Sequence, residues 1–409
     1  MDDQLRHEPA ERSRMLIVGS GPAALEAIIA LRSLAEDRVA IELLTPDRYF
    51  VYRPMLVAGP FQLGAARRYE LARIAADHNV RLTAGSLRAV DPEAHVVHTV
   101  AGADIGYDVL LLALGAKIGT TLPGAISPLG SGNAMSIPAL LRELEAGSIR
   151  QVVFAAPPGV AWQLPLYELA LMTSARAARR GLRNVELSLV TPEAEPLELF
   201  GSQASAAIRG MLEERGIALL TQCTPVRFAD RDLTVVPGVS PSIEADRVVT
   251  LPQLTGPRIP GLAQDPDGFV PVDLHCRVLA EEDVYAAGDA THFPVKQGGL
   301  ATQQADAAAE AIAARAGVPL TPAPFRPVLR GLLLTGDSAR YLRSDIRAGR
   351  ENGEVSEHAL WWPPSKIAGR HLSPYLTIQA GAPRAPEIRP ASDLKRPHVE
   401  IDRPLDPGF

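Results

Sequence analysis

Residues 15–24 read MLIVGSGPAA, and a helix-like stretch runs from residue 23 to residue 34. An apolar stretch that stops at Gly19, Ser20, Gly21 and Pro22 and then turns helical is the pattern of a β-strand feeding a dinucleotide-binding turn. Gly19 allows the tight turn, Gly21 lets the backbone approach a pyrophosphate, and Ala24 fills the third small position, where helix packs on strand. The helix then presents its unpaired first amides and the positive end of its dipole to the phosphates. Gly19, Gly21, Pro22 and Ala23 are therefore candidate cofactor contacts.

Two later segments narrow the ligand. Residues 283–290, DVYAAGDA, read as a short strand ending in Gly288 and Asp289, with a small-residue helix expected over 298–316. A carboxylate at a strand end, ahead of a helix N-terminus, suits a ligand with both hydroxyls and a pyrophosphate. Residues 107–116, YDVLLLALGA, read as a buried strand that closes on Gly115 and Ala116, with Ala113 and Gly115 as candidate cofactor contacts. In this order and spacing the three segments point to FAD. The strand expected over 39–44 normally ends in a ribose-binding acid. Here Thr45 stands at that end and Asp47 just beyond, so a hydroxyl or a displaced carboxylate takes the role; Glu42 lies inside the strand.

The set GSGPAA, YDVLLLALGA and VYAAGDA resembles the flavoproteins with two dinucleotide-binding domains, the pyridine nucleotide-disulfide oxidoreductase superfamily. Within it, TPDRYFVYRP (residues 45–54) and FPVKQGG (residues 293–299) are similar to the branch holding sulfide:quinone oxidoreductase, flavocytochrome c sulfide dehydrogenase and type 2 NADH dehydrogenase. The resemblance covers residues 13–320 and implies FAD and an α/β fold of two Rossmann-like domains. It further implies that residues 49–54 run toward the flavin ring, where Arg53 is the better candidate for a polar role and the aromatics serve equally as core. The helix after Asp289 would begin under the pyrimidine end of the ring. Lys296, Gln297 and Gly298 occupy that position, and Lys296 matches a lysine of the sulfide-oxidising branch that would tune the flavin by its charge. Gln303 and Gln304 are similar to the glutamine-bearing helix by the quinone pocket of type 2 NADH dehydrogenases; the bland alternative places them on the helix's wet face.

Expected boundaries are a discontinuous FAD-binding domain at 13–125 and 265–320, an inserted NAD(P)-binding-like domain at 126–264, a C-terminal lid or interface module at 321–380, and a tail at 381–409. In the insertion, strands over 150–156, 185–190 and 217–220 alternate with helices over 164–180 and 203–216, repeating the first β-α-β pattern. Its glycine motif is degenerate. Ala155-Ala156-Pro157-Pro158-Gly159-Val160-Ala161-Trp162 keeps one glycine, two prolines lack amide hydrogens, and Trp162 would crowd a pyrophosphate. Glu168 matches the motif's trailing acid. Ordinary NAD(P)H binding is not expected, although side-chain recognition by a remodelled loop is the alternative.

Cysteine usage removes another chemistry. Cys223 and Cys276 are the chain's two cysteines, and neither CxxxxC nor CxxC occurs, so no redox-active disulfide is expected beside the flavin. Both read as structural thiols. His275, His292, His358 and His371 lack metal-ligand spacing, and no metal is expected. A net charge of −6 argues against nucleic acid as a partner. The N-terminal MDDQLRHEPAERS is charged and no stretch is long and apolar enough to span a bilayer, from which a cytoplasmic location is expected. Trp361, Trp362, Pro363, Pro364, Lys366, His371 and Tyr375 form the densest aromatic and basic cluster, read as a lid over the flavin or a dimer contact, with peripheral membrane contact left open. The expected function is an FAD-dependent oxidoreductase passing electrons from a small-molecule or protein donor to an acceptor such as a quinone or redox protein. The alternatives are an NAD(P)H dehydrogenase with a remodelled second site and a flavin-based redox sensor.

Overall fold

The computed structural model describes residues 12–128, 136–160, 162–236, 242–346 and 353–381. Most of the expected tail, from residue 382, lies outside them, as does Ala161.

The chain opens with β1 (Ser13–Val18), α1 (Pro22–Ala35), β2 (Val39–Thr45), β3 (Arg81–Ala84) and β4 (Val109–Leu112). It continues through β5 (Gln151–Ala155), α2 (Leu164–Arg179), β6 (Glu186–Val190), α3 (Ser202–Glu214), β7 (Ile217–Leu220) and β8 (Arg247–Thr250), and then returns in β9 (Val284–Ala286) and α4 (Gly298–Arg315). One parallel sheet has the order β9-β4-β1-β2-β3 and a second the order β7-β6-β5-β8. In both, the first strand lies between the second and a later one, so the winding reverses beside β1 and beside β5. Ligands of doubly wound sheets bind in the crevice outside such a reversal.

β1 is apolar throughout because both faces are covered. Met15 and Ile17 join the core beneath α1 and α4, while Leu16 and Val18 join a second core with Val90, Tyr107 and Val270. The helices α1 and α4 pack closely because both present small residues: Ala23, Ala24, Ala27 and Ala30 on one, Ala301, Ala305, Ala308 and Ala309 on the other, all buried. Two antiparallel meanders that the sequence reading did not include flank the sheets, one over Leu87–Asp91, Val96–Thr99 and Asp104–Gly106, the other over Thr224–Ala229, Asp232–Val236 and Ser242–Glu244.

After the Pro-rich residues 321–327, β10 (Val328–Leu334), β11 (Ala339–Asp345) and β12 (Glu354–Ser356) form an antiparallel sheet, followed by α5 (Leu372–Gln379). The alternating burial of β10 shows why this sheet lies on the second one: a Cβ on Gly331 would stand 2.7 Å from both Leu164 Cδ1 and Phe200 Cζ.

Candidate functional site

The turn between β1 and α1 is built by two glycines with different duties. Gly19 has φ +117° and is pressed against the Ala113 carbonyl, where a Cβ would collide. Gly21 caps α1 with an ordinary φ of −80°, and nothing lies within 4 Å of where its Cβ would be. No side chain caps this helix, so its first amides and dipole face open space. Neither backbone strain nor the protein's own packing requires glycine at position 21. The space in front of these amides is therefore left open by the fold itself. Gly288, at φ +82°, completes the cradle by letting α1 and α4 converge, its Cβ position being 3.3 Å from Ala23 Cβ and 3.2 Å from Ala301 Cβ. Gly115, at φ +70°, also faces open space.

At the end of β2, Asp47 is exposed and accepts a 2.7 Å hydrogen bond from Ser20 Oγ, which places its carboxylate at the glycine turn. Thr45 is buried and its hydroxyl accepts from the Asp47 amide at 3.1 Å. Of the two ribose candidates, Asp47 faces the crevice while Thr45 shapes the turn that presents it. Glu42 lies elsewhere, accepting from Thr83 Oγ1 at 2.6 Å. Arg53, in the short helix Arg53–Met55, is exposed and makes no ion pair among the described residues.

At the start of α4, Lys296 is buried. Its ammonium donates to the Thr291 carbonyl and lies 3.7 Å from the centre of the Phe269 ring. Burial pulls the Lys296 amine down to about 8, opposed by the charges of Asp289 and Asp265. Burial pushes Asp289 up, opposed by Lys296 and by the Gln297 amide. The Gln297 side chain is spent on structure: its oxygen accepts from the Leu300 amide and its nitrogen donates to the Arg330 carbonyl. Gly298 is crowded by protein, a Cβ there standing 2.9 Å from Ile367 Cγ1 and 3.6 Å from Pro22 Cγ.

Ile367 belongs to a strap from the C-terminal segment. Its amide donates to Tyr52 Oη at 2.8 Å, and burial pushes that phenol up to about 12. The preceding Lys366 reaches the other way, its ammonium 2.5 and 2.7 Å from the carboxylate oxygens of Glu168. Glu168 is wholly buried on α2 and also accepts from the Leu334 amide. Burial pushes its carboxyl up and Lys366 opposes the shift. Trp361 leads into this strap, donating from its indole to the Ser365 carbonyl and packing on Tyr341, whereas Trp362 stands half-exposed.

Around the second sheet, the positions a nucleotide would use are filled from within. Glu168 is taken by Lys366, Trp162 packs on Phe200 at 5.8 Å, and the Pro158 carbonyl accepts from Gln253. At the end of β6, Glu193 accepts from Tyr167 Oη at 2.7 Å and from Thr191 Oγ1 at 3.0 Å. The Glu193 amide donates back to Thr191 Oγ1, as the Asp47 amide does to Thr45. Thr45-Pro46-Asp47 and Thr191-Pro192-Glu193 thus end the second strand of each sheet in the same turn. The repeat is legible in the sequence itself, as TPD and TPE at matching strand ends.

Three expectations can be set against the structure. Gln303 and Gln304 are both spent on structure: Gln303, half-buried, bonds the Val328 amide and carbonyl, and Gln304, buried, accepts from the Gly288 amide at 2.7 Å. Cys276 is buried and its thiol is pushed up by burial, which leaves little nucleophilic thiolate. Histidine has a place in one titratable cluster after all, since Glu26, Asp306 and His371 bring ligand-type atoms within 4.8 Å of one another.

The sequence profile of pyridine nucleotide-disulphide oxidoreductases matches residues 13–146 and 168–312. The chain belongs to that family. As a pyridine nucleotide-disulphide oxidoreductase it is an FAD-dependent oxidoreductase with the α/β fold expected. The family match breaks across the altered loop of Pro157, Pro158 and Trp162 and resumes at Glu168. A curated relative, the sulfide-quinone reductase of Aquifex aeolicus, is 28% identical over 246 residues, 58% of this chain and 53% of the relative, so the match spans about half the relative's length. The solved sulfide:quinone oxidoreductase of Aquifex aeolicus superposes with a TM-score of 0.76 at 21% identity, covering 84% of this chain and 86% of that one. A putidaredoxin reductase in covalent complex with putidaredoxin superposes at 0.58 with 18% identity, covering 81% of each. No helix among the described residues is long and apolar enough to cross a membrane.

Proposed function

We propose that this flavoprotein passes electrons from a donor other than NAD(P)H, through FAD, to a quinone, without a redox-active disulfide. When bound, FAD supplies the two-electron redox chemistry. The reading gives the pyrophosphate to the α1 amides at Gly21, Pro22 and Ala23, with Gly115 and Gly288 keeping the cradle open. Asp47 takes the adenosine ribose and Asp289 a ribitol hydroxyl. Lys296 stands as the buried cation at the start of α4.

The observation that carries the quinone is the buried Glu168–Lys366 pair. A quinone takes up protons together with electrons, whereas a one-electron protein acceptor does not. A carboxylate and an ammonium in mutual contact, one residue from the Ile367 side chain that covers the start of α4, can hold and pass a proton there. The same contact weakens the case for a nicotinamide donor, because Glu168 is engaged by Lys366 and Glu193 by Tyr167. Similarity to a sulfide-quinone reductase supports the acceptor class.

The test is anaerobic stopped-flow of the flavoprotein. NADH and NADPH are expected to leave the flavin absorbance unchanged. Protein reduced with dithionite is expected to be reoxidised rapidly by a water-soluble ubiquinone analogue. Rapid bleaching by either nicotinamide, or a flavin that stays reduced in quinone, overturns the proposal.

A further inference from the structure

Behind the cradle, α1 and α4 bring together two carboxylates that the flavin chemistry does not use. Glu26 lies just beyond the first turn of α1 and is wholly buried. Its Oε1 accepts from the His371 amide at 2.6 Å and its Oε2 from the Leu372 amide at 2.8 Å. These amides open α5 and have no acceptor within that helix. The chain is folded tightly around the carboxylate, since a Cβ on Gly369 would run into Oε2. Asp306 of α4 is hydrogen-bonded to Glu26, and its Oδ1 is buried without a donor among the described residues. The charged and titratable groups facing the pair are His371, with Nε2 4.0 Å from Asp306 Oδ1, and Arg370, which pairs with Glu310 of α4 at 3.7 Å. From the Leu71–Asp77 helix and the residue after it, Asp77 and His78 meet Tyr375 farther along α5 instead.

A wholly buried carboxylate beside a second, half-buried one resists a second charge, so near neutral pH the pair keeps one proton between them. We propose that this shared proton is a latch: with it in place, Glu26 and Asp306 hold residues 369–372 and the start of α5 on α1 and α4, and its loss loosens the strap that covers Gly298. The proposal stands independently of the identity of donor and acceptor.

The direction of the pH effect follows from the two states. Burial first, and the Glu26 charge second, push the Asp306 carboxyl up to about 8 when the segment is docked. Once released it would titrate as an ordinary carboxylate, at about 4. The docked state binds the proton more tightly, so docking weakens as pH rises toward about 8 and changes no further beyond it. Burial pushes the His371 ring down, so a released His371 favours opening in acid. Above about pH 7 that ring is neutral in both states and no longer contributes.

Hydrogen exchange of the α5 amides in the FAD-loaded protein, corrected for intrinsic rate, tests this between about pH 7 and 9. In the native chain the opening constant is expected to rise severalfold, up to tenfold, from pH 7 to 8 and then level off. Asp306→Asn keeps the size and the contact with Glu26 but cannot ionise, and its opening constant is expected to stay flat. Glu26→Gln should open more at every pH, with a weaker slope, because burial of Asp306 remains while the Glu26 charge is gone. A native profile that is flat over this range, or an Asp306→Asn profile with the native slope, overturns the latch. Infrared spectroscopy of the native protein checks it without a variant: a protonated-carboxyl band should be present at pH 7 and gone at pH 9, and its absence at pH 7 is equally fatal.

Discussion

Gly19 and Gly21 share one turn but need glycine for opposite reasons. Gly19 sits at φ +117° against the Ala113 carbonyl, so the folded chain itself excludes a side chain there. Gly21 has an ordinary φ and empty space where its Cβ would be, so the folded chain excludes none, and under the proposed seating of FAD the pyrophosphate would. Gly19→Ala should therefore destabilise the protein with or without flavin, by about 1–3 kcal/mol. Gly21→Ala should leave the flavin-free protein within about 0.5 kcal/mol of native. Its FAD affinity should nevertheless fall about tenfold or more, a cost of about 1.4 kcal/mol. Thermal unfolding with and without FAD, together with flavin titration, separates the two. Normal FAD binding by Gly21→Ala would remove the pyrophosphate from this turn. Both glycines were legible in the sequence because the motif marks where backbone freedom and close approach are needed. What sequence could not distinguish is which glycine serves the fold and which the ligand, since that depends on the distance to Ala113 across the sheet.

Helix α4 shows how an element can be placed correctly and its faces misjudged. Its small-residue run was legible, and the helix spans Gly298–Arg315. Gln304 is buried where α1 covers α4, and Gln303, half-buried beside β10, is bonded to the Val328 backbone, so neither amide is left to water alone. The two meanders were missed for a related reason: LRAVD and VVHT alternate too briefly to stand out from loop. Lys296, just ahead of this helix, carries the element's prediction. Its amine is pulled down to about 8 by burial, so it is charged at pH 7 and loses that charge as pH rises through this value. A nearby cation favours the reduced, more negative flavin, so Lys296→Met should lower the flavin potential at pH 7. A loss of about 1.4 kcal/mol corresponds to about 30 mV for a two-electron couple. The gap between native and variant should close above about pH 8. Spectroelectrochemical titration at pH 6.5 and 9 measures it, and equal potentials at pH 6.5 would leave Lys296 a purely structural residue.

Across the whole molecule, the two parallel sheets repeat one winding down to the Thr-Pro-acid turn at the end of each second strand, yet among the described residues it is the first whose glycine turn faces open space. The β-α-β repeat was legible from alternating apolar runs. The fate of its acids was not, because Glu168 meets its partner Lys366 at a separation in sequence of 198 residues. That contact ties the second sheet's helix α2 to the strap over α4, so its removal tests fold and function together. Lys366→Met leaves a buried carboxylate without its cation and should cost about 3–5 kcal/mol, as breaking one half of a buried pair does. Glu168→Gln strands the ammonium and should cost a similar amount. Combining Glu168→Gln with Lys366→Met leaves neither charge stranded and should recover most of that stability, the difference appearing as a coupling energy in the double-mutant cycle. If the pair only braces the strap, quinone reoxidation of the flavin recovers along with the melting temperature. If it holds the proton a quinone needs, the double variant melts near the native temperature and still reoxidises at least tenfold more slowly, with the loss in kcat rather than KM. The second outcome is expected, because the pair is buried where ionic bracing gains little over apolar packing, while proton transfer has no apolar substitute.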